Sequence, residues 1–172
     1  MKKAAILSFI LSIVLVFSTS CGVFDFLSKS KTFKQDEMSI TLSSVFEETS
    51  VENYTSAYDS PDIAVLTVRE DFSLFEGIDL TLNQYAELVI STNGRSCYVI
   101  EENGLTYFIY EETVNSTNYM YFVSVYKSDS AYWIIQFACE SEKYDELKDA
   151  IIKYAKSVTF DSSAESVSNV AV

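Results

Sequence analysis

Three pairs of adjacent glutamates are the first candidates for chemistry: Glu47-Glu48, Glu101-Glu102 and Glu111-Glu112. Clustered carboxylate oxygens could bind a hard cation such as Ca²⁺, and two carboxylates about 5–9 Å apart could hydrolyse a glycoside. The sequence contains no D-x-[DN]-x-[DN]-G loop, and adjacent residues of a strand point to opposite faces. We therefore interpret the pairs mainly as charges that keep strand edges soluble, and cation binding stays open.

The complete lack of histidine excludes several classes of catalytic site. Ser-His-Asp and Cys-His sites cannot form without an imidazole base. A zinc ion would have only carboxylates, Cys97 and Cys139 as ligands within the domain, which is a poor set. No nucleophile motif or phosphate-binding loop is present. The sequence therefore predicts a protein that is not an enzyme, with no catalytic residue, no metal site and no cofactor.

Tyrosines are concentrated in the third quarter of the chain, close to the single tryptophan, Trp133. Exposed aromatic side chains on a sheet could bind a protein or a glycan. Alternatively, the rings could pack beneath helices with their hydroxyl groups at the rim. Both interpretations stay open for the candidate binding surface, which comprises Tyr107, Tyr110, Tyr119, Tyr121, Tyr126 and Tyr132.

Residues 1–20 have the organisation of a bacterial export signal. Lys2 and Lys3 precede an apolar run over residues 4–17, which is too short to be a typical transmembrane helix. Small residues follow and end directly before Cys21. The segment resembles the lipobox of bacterial lipoproteins, although Ser18 stands where leucine is usual. That resemblance implies a multi-acylated Cys21, whereas ordinary signal peptidase cleavage would leave Cys21 as a free thiol.

The predicted mature chain is strongly acidic. Loss of Lys2 and Lys3 with the signal lowers the formal net charge from −13 to −15. Such a charge repels phosphate backbones, which argues against nucleic acid as a partner. We predict a lipidated tether over residues 21–31, one domain over residues 32–161 and a disordered tail over residues 162–172. The predicted location is the extracytoplasmic face of the cell membrane, reached through lipid on Cys21.

Two helices follow from local signals. Thr81 and Gln84 form a capping-box pattern, and Asn93-Gly94 is typical of a helix end. A second helix is predicted from about Ser141, as its N-cap, to about Lys156. Its acidic residues come first and its lysines last, which matches the helix dipole.

Strands are predicted on both sides of the first helix. Asn103-Gly104 is a strong hairpin signal, and four consecutive antiparallel strands follow from the pattern around it. Because the last of these is apolar on both faces, the sheet needs a cover on each side. We predict an α+β fold, an α/β/α sandwich with a central, mainly antiparallel sheet. The predicted strands cover residues 37–42, 53–58, 62–71, 96–102, 105–112, 118–127 and 131–139.

The predicted meander places Cys97 and Cys139 on its first and fourth strands. Cys97 is expected opposite Tyr110, which would lie beside Phe122 and Ile135. Three strand spacings are about 14 Å, whereas the Cα atoms of a disulfide lie within roughly 7 Å of each other. The two domain cysteines are therefore predicted to be unbonded, buried thiols.

The order of elements resembles the PsbP/Mog-like fold of DcrB-type bacterial lipoproteins and of the photosystem protein PsbP. The resemblance covers residues 32–161, begins with the strand around Met38 to Leu42 and ends at Phe160. It implies a membrane-anchored, non-catalytic module that binds or scaffolds an unknown protein partner. A solute- or ion-binding lipoprotein that serves a transporter, and an envelope hydrolase, remain as alternatives.

Overall fold

The computed structural model describes residues 29–161, which fold into two antiparallel sheets and two α-helices. The predicted export signal, Cys21 and the predicted tail lie outside these residues. Short 3-10 helices at Phe72–Phe75 and Ser141–Lys143 precede the two α-helices. The helices are α1 (Leu82–Thr92) and α2 (Tyr144–Lys156). The strands are β1 (Ser30–Gln35), β2 (Met38–Ser43), β3 (Glu47–Thr49), β4 (Ser56–Asp59), β5 (Ala64–Asp71), β6 (Ile100–Glu102), β7 (Leu105–Val114), β8 (Thr117–Lys127), β9 (Ala131–Glu140) and β10 (Thr159–Phe160).

The larger sheet has seven strands in the order β3-β4-β5-β9-β8-β7-β6. The predicted meander from β6 to β9 is confirmed, because each of these strands pairs antiparallel with the next. Asn103 and Gly104 both have positive φ, as a tight two-residue hairpin requires. Local turn chemistry therefore determines the strand order in this half of the sheet.

The predicted register of the meander is wrong by one residue between its second and third strands. Tyr110 lies opposite Tyr121, not Phe122. The predicted register between the third and fourth strands is wrong by two residues, because Phe122 lies opposite Phe137 and not Ile135.

The cause of the one-residue slip is the β7–β8 turn, which contains only Asn115 and Ser116. The next residue, Thr117, is therefore the first residue of β8 and not part of the turn. Because side chains alternate along a strand, a slip of one residue reverses which side chains share a face.

The smaller sheet was not predicted. Its order is β1-β2-β10, and β1 begins at Ser30, inside the segment predicted as tether. Phe33 on β1 and Met38, Ile40 and Leu42 on β2 are buried against the larger sheet. One side of the central sheet is therefore covered by a helix together with a second small sheet, and not by a helix alone.

Several predicted element ends also differ. β6 begins at Ile100, four residues later than predicted, and β4 begins at Ser56 because Asn53 adopts a positive φ. The capping box of Thr81 and Gln84 is confirmed. Ser141 begins a 3-10 turn and its buried Oγ has no hydrogen-bond partner, so its predicted role as an N-cap is wrong.

Two separate layers cover the seven-stranded sheet. On one face, which we call the α2 face, Phe122, Trp133 and Phe137 pack with α2 and the small sheet. On the opposite α1 face, Phe108, Val123 and Tyr132 pack with α1 and the preceding loop. Within residues 29–161, neither helix is long and apolar enough to cross a membrane.

Candidate functional site

The six candidate tyrosines do not form one exposed surface. Tyr107 and Tyr126 belong to the α2 face, whereas the other four belong to the α1 face. Tyr107, Tyr119, Tyr121 and Tyr132 are buried, and Tyr110 and Tyr126 are partly buried. The rings pack against each other and beneath both layers because the alternation along each strand sends neighbours to opposite faces. The proposed exposed aromatic surface is therefore corrected: these rings belong to the core.

Tyr110 and Tyr121 form a stacked pair on the α1 face, with ring centroids 4.8 Å apart. The Arg95 guanidinium lies 4.3 Å from the centroid of Tyr110 and pairs with Glu112 at 2.9 Å. The Tyr110 hydroxyl donates to Gln136 Oε1 at 3.3 Å. Arg95, which comes directly after the α1 terminus, thus fastens the end of that helix to β7.

This cluster contains polar atoms that are not satisfied. Tyr121 Oη, Gln136 Nε2 and Arg95 Nε are buried, and none has a hydrogen-bond partner among the described residues. Burial raises the pKa of Tyr121 to about 12, because the ionised phenolate is disfavoured away from water. A phenol with so high a pKa stays protonated at neutral pH and is not an activated acid or nucleophile.

A second buried polar group on the α1 face is Glu70. The hydroxyl of Tyr85 donates to its carboxylate at 2.6 Å, and the Tyr85 ring stacks on Tyr132 at 4.4 Å. Burial raises the pKa of Glu70, and the single hydrogen bond from Tyr85 only partly opposes that effect. Tyr132 in turn bonds both the backbone N–H and the carbonyl of Leu80, immediately before α1. These contacts hold α1 against the sheet.

On the α2 face, Glu37 is the centre of a polar junction. Its carboxylate accepts hydrogen bonds from Ser128 at 2.9 Å, Ser130 at 3.0 Å and Trp133 Nε1 at 3.3 Å. Arg69 pairs with it at 3.3 Å. Burial raises the pKa of Glu37, but hydrogen bonds from its own backbone and from these side chains outweigh burial and lower the pKa to about 2. The junction therefore joins the small sheet to β5 and the β8–β9 turn.

The cysteines and carboxylates of the described residues show no catalytic or metal-binding arrangement. Cys97 and Cys139 are both free. Burial raises the pKa of the Cys97 thiol and raises that of Cys139 to about 12, so neither is a thiolate at neutral pH. Within residues 29–161, no group of three or more Cys, Asp or Glu side chains could hold a metal ion.

The glutamate pairs mark the two edges of the larger sheet. Glu47 and Glu48 lie on β3, and Glu101 and Glu102 lie on β6, the two outermost strands. Each of these strands has only three residues. Short, charged edge strands resist edge-to-edge pairing, so the predicted role at strand edges agrees with the placement of these two pairs. The third pair lies on β7, where Glu111 is exposed and Glu112 bonds Arg95.

At the β6 edge, the outermost strand pairs with only a small part of the strand next to it. β6 pairs with β7 only from Leu105 to Tyr107, whereas β8 pairs with the other side of β7 as far as Val114. The outer side of β7 over residues 108–114 thus has no strand partner within the described part of the chain. We call this stretch, together with β6, the β6–β7 edge.

Exposed side chains surround the β6–β7 edge. Tyr98 is 77 % exposed, the largest exposure among the large hydrophobic side chains of residues 29–161. Glu101 and Glu111 are exposed and make no ion pair among the described residues. Sequence reasoning missed Tyr98 because the segment before β6 was predicted to be a regular strand. The β6–β7 edge is the candidate functional site.

Comparison with known proteins bears on the fold. The chain is similar to the solution structure of cyanobacterial PsbP (CyanoP) from Synechocystis, with 12 % identity, a TM-score of 0.50, and coverage of 83 % of this chain and 98 % of that one. It is also similar to a crystal structure from Bacteroides thetaiotaomicron, with 11 % identity and a TM-score of 0.52; 79 % of this chain is covered, but only 50 % of that chain.

The chain is less similar to the crystal structure of LpqN from Mycobacterium tuberculosis, a protein described as involved in cell envelope biogenesis. The TM-score is 0.43 and the identity is 10 %, and the match covers 76 % of this chain and 90 % of that one. No family model and no curated protein matches the chain. At these identities the likeness concerns architecture. The domain described by residues 29–161 has a PsbP-like α+β fold.

Proposed function

We propose that the mature protein is a lipoprotein, anchored through Cys21 at the extracytoplasmic face of the cell membrane, whose domain is a non-catalytic module that binds a protein partner. The anchor is supported by the export-type pattern that ends directly before Cys21. The first strand begins at Ser30, so even a fully extended linker keeps it within about 30 Å of Cys21. The domain would therefore work close to the membrane.

The observation that carries the binding role is the open β6–β7 edge. The titratable and reactive groups of the interior hold the layers together: Glu37 joins two sheets, Glu70 bonds Tyr85, and both thiols are protonated. The β6–β7 edge, in contrast, combines free backbone, the exposed Tyr98 ring and exposed carboxylates. Unpaired strand edges and exposed tyrosines are features by which proteins recognise other proteins.

Metabolic labelling with a palmitate analogue tests the anchor. The wild type is expected to incorporate label, and Cys21→Ser is expected to incorporate none. Cys97→Ser is the matched control, because it removes a thiol from the domain and should leave the label unchanged. Equal labelling of wild type and Cys21→Ser would contradict lipidation at this residue.

Crosslinking in membranes of the native host, followed by purification and mass spectrometry, tests the binding role. The wild type should capture one protein reproducibly, and Tyr98→Ser should reduce that capture. Tyr126→Phe, a change in the interior, should leave capture intact. A hydrolytic activity of the purified protein that disappears on substitution of one carboxylate would overturn the proposed class.

A further inference from the structure

The β6–β7 edge has unusual geometry, because a nearby segment follows β7 without pairing to it. Continuing the β6–β7 register places Arg95 opposite Glu112, and these two residues do form an ion pair. Yet no backbone hydrogen bond joins residues 95–99 to residues 108–114. Among the described residues, the outer backbone groups of β7 over residues 108–114 are therefore unpaired beside a segment that is aligned with them.

Side-chain contacts show where that segment lies. Cys97 and Val99 pack against the hydrophobic cluster of the α1 face, and Arg95 lies over the Tyr110 ring on the same face. The segment is thus held by side chains on the α1 face instead of by a ladder in the plane of the sheet. The outer hydrogen-bonding groups of β7 are left for another strand, most openly around the exposed residues Glu111 and Thr113.

The charges of the exposed side chains determine which kind of segment could pair with the outer side of β7. Glu101 and Glu111 are exposed and make no ion pair within residues 29–161. A second copy pairing through the same edge would bring Glu111 and its neighbours against like charges, which is unfavourable in a sheet. An extended segment rich in lysine or arginine would place opposite charges beside these carboxylates.

We propose that an extended, basic segment of a protein partner adds to the seven-stranded sheet along the outer side of β7. The backbone of residues 108–114 supplies the ladder, and Glu101 and Glu111 select basic side chains. This inference rests on the proposed binding function and specifies its site and the chemistry of its partner. Strand addition of this kind takes affinity from main-chain hydrogen bonds and specificity from alternate side chains.

A synthetic peptide tests the mode of binding to the full-length chain in detergent. The probe is the seven-residue, fluorescently labelled peptide Lys-Lys-Val-Lys-Val-Lys-Lys, which carries lysine on both faces of a strand because Glu101 and Glu111 lie on opposite faces of the sheet. It should slow hydrogen exchange of the amides in residues 108–114. The same peptide with N-methyl groups at alternate residues should bind at least tenfold more weakly, because it cannot donate the ladder hydrogen bonds. Equal binding of both peptides, or protection only elsewhere, would overturn strand addition on β7.

Two double variants with the same change of charge test the role of the carboxylates. Glu101→Gln with Glu111→Gln should weaken binding of the lysine peptide roughly tenfold, the range expected for loss of two exposed ion pairs. Glu47→Gln with Glu48→Gln, on the opposite edge, should change affinity less than twofold. Equal losses for the two variants would mean attraction to net charge alone and would reject the site.

Failure of this inference can be told apart from failure of the proposed function. If native membranes yield a reproducible partner that the Glu101→Gln, Glu111→Gln variant captures as well as the wild type does, the edge is rejected and the binding role stands. If the wild type captures no partner and Cys21 carries no lipid, the proposed function itself fails. Protection of residues 108–114 that depends on protein concentration without peptide would identify a second copy as the occupant and reject a basic partner.

Discussion

The two faces of the seven-stranded sheet bury carboxylates in contrasting ways. On the α2 face, Glu37 receives side-chain hydrogen bonds from Ser128, Ser130 and Trp133 and pairs with Arg69. On the α1 face, Glu70 is more deeply buried, and among residues 29–161 only Tyr85 donates a hydrogen bond to its carboxylate. Their pKa values move in opposite directions, down for Glu37 and up for Glu70. Glu37 is both less buried and met by more donors than Glu70, and the two differences act in the same direction on the pKa.

Individual tyrosine hydroxyl groups on the two faces also differ in whether they have a hydrogen-bond partner. On the α2 face, Tyr126 donates to the carbonyl of Ala155 at 2.8 Å and joins β8 to the end of α2. On the α1 face, the hydroxyl of Tyr121 is buried and has no hydrogen-bond partner among the described residues. Buried hydroxyl groups without a partner among the described residues therefore occur on both faces, because those of Tyr58 and Tyr144 on the α2 face are unsatisfied as well.

The largest expected effect is loss of the Glu37 junction. Glu37→Ala leaves Trp133 Nε1 and two serine hydroxyls without their acceptor, and should lower the free energy of unfolding by about 3 kcal/mol. Asp129→Ala, an exposed neighbour in the β8–β9 turn, should change it by less than about 0.5 kcal/mol. Urea unfolding at pH 7 measures both, and equal effects would show that the junction does not stabilise the α2 face.

The dependence of stability on pH should identify the same carboxylate. The pKa of Glu37 is about 2 in the folded protein against 4.5 in the unfolded chain. Its contribution to stability is therefore complete above about pH 4.5 and is lost as the pH falls from there toward 2. In Glu37→Gln, the difference from wild type should shrink over this window. Denaturant unfolding between pH 6 and pH 3 measures this difference in the free energy of unfolding. A difference that stays constant with pH would contradict the low pKa of Glu37.

Glu70 should show the opposite sign. Its pKa is raised by burial, so its contribution is favourable below the unfolded pKa and is lost as the pH rises through the folded pKa. Glu70→Gln cannot ionise and keeps a partner for Tyr85. Its stability relative to wild type should therefore increase from pH 4 to pH 8, as measured by guanidinium unfolding. A relative stability that falls with pH would mean that the Glu70 carboxylate is stabilised in its charged form.

A smaller difference is expected between two tyrosines that lose only their hydroxyl groups. Tyr126→Phe removes a donor to the Ala155 carbonyl and should cost about 1 kcal/mol. Tyr121→Phe removes a buried oxygen that has no partner and should be neutral or slightly stabilising. Thermal unfolding of the two variants compares the faces directly. A larger cost for Tyr121→Phe would show that this hydroxyl is satisfied in solution.

The smallest expected effect is a difference in the rate at which a reagent modifies the two thiols of the folded protein. Cys139 is fully buried on the α2 face, whereas Cys97 is only partly buried at the margin of the α1 face. In the native protein, iodoacetamide at pH 8 should modify Cys97 slowly and leave Cys139 intact. Both should react after denaturation, with peptides mapped by mass spectrometry. Equal native reactivity would contradict the deeper burial of Cys139.

Local signals account for the parts of the fold that were predicted correctly. The capping box of Thr81 and Gln84 and the turn at Asn103-Gly104 each involve residues within three positions of one another. Such signals place α1 and the first hairpin without knowledge of the rest of the chain. The meander order followed from them, because consecutive strands with short turns pair with their neighbours. The PsbP-like architecture was expected from the resemblance in the order of elements and not from these local signals.

The candidate site was harder to predict because its features are not local. The turn at Asn115 and Ser116 is one residue shorter than the pattern suggested, and this single residue sends the Tyr110–Tyr121 pair to the α1 face. The segment before β6 has a strand-like sequence, yet its side chains pack on the α1 face and its backbone does not pair. Tyr98 is exposed as a result, which no property of its neighbours in sequence indicates.

Composition and residues close together in the chain were enough to predict the capping box of α1, the tight hairpin, the strand order of the meander and the lack of histidine chemistry. The face that each tyrosine occupies, the contacts of Glu37 with Arg69, Ser128 and Trp133, and the open edge of β7 became visible only in the folded chain. Those outcomes depend on the register between strands and on contacts between distant segments. A displacement of one residue reverses the face of a side chain while leaving the local pattern almost unchanged.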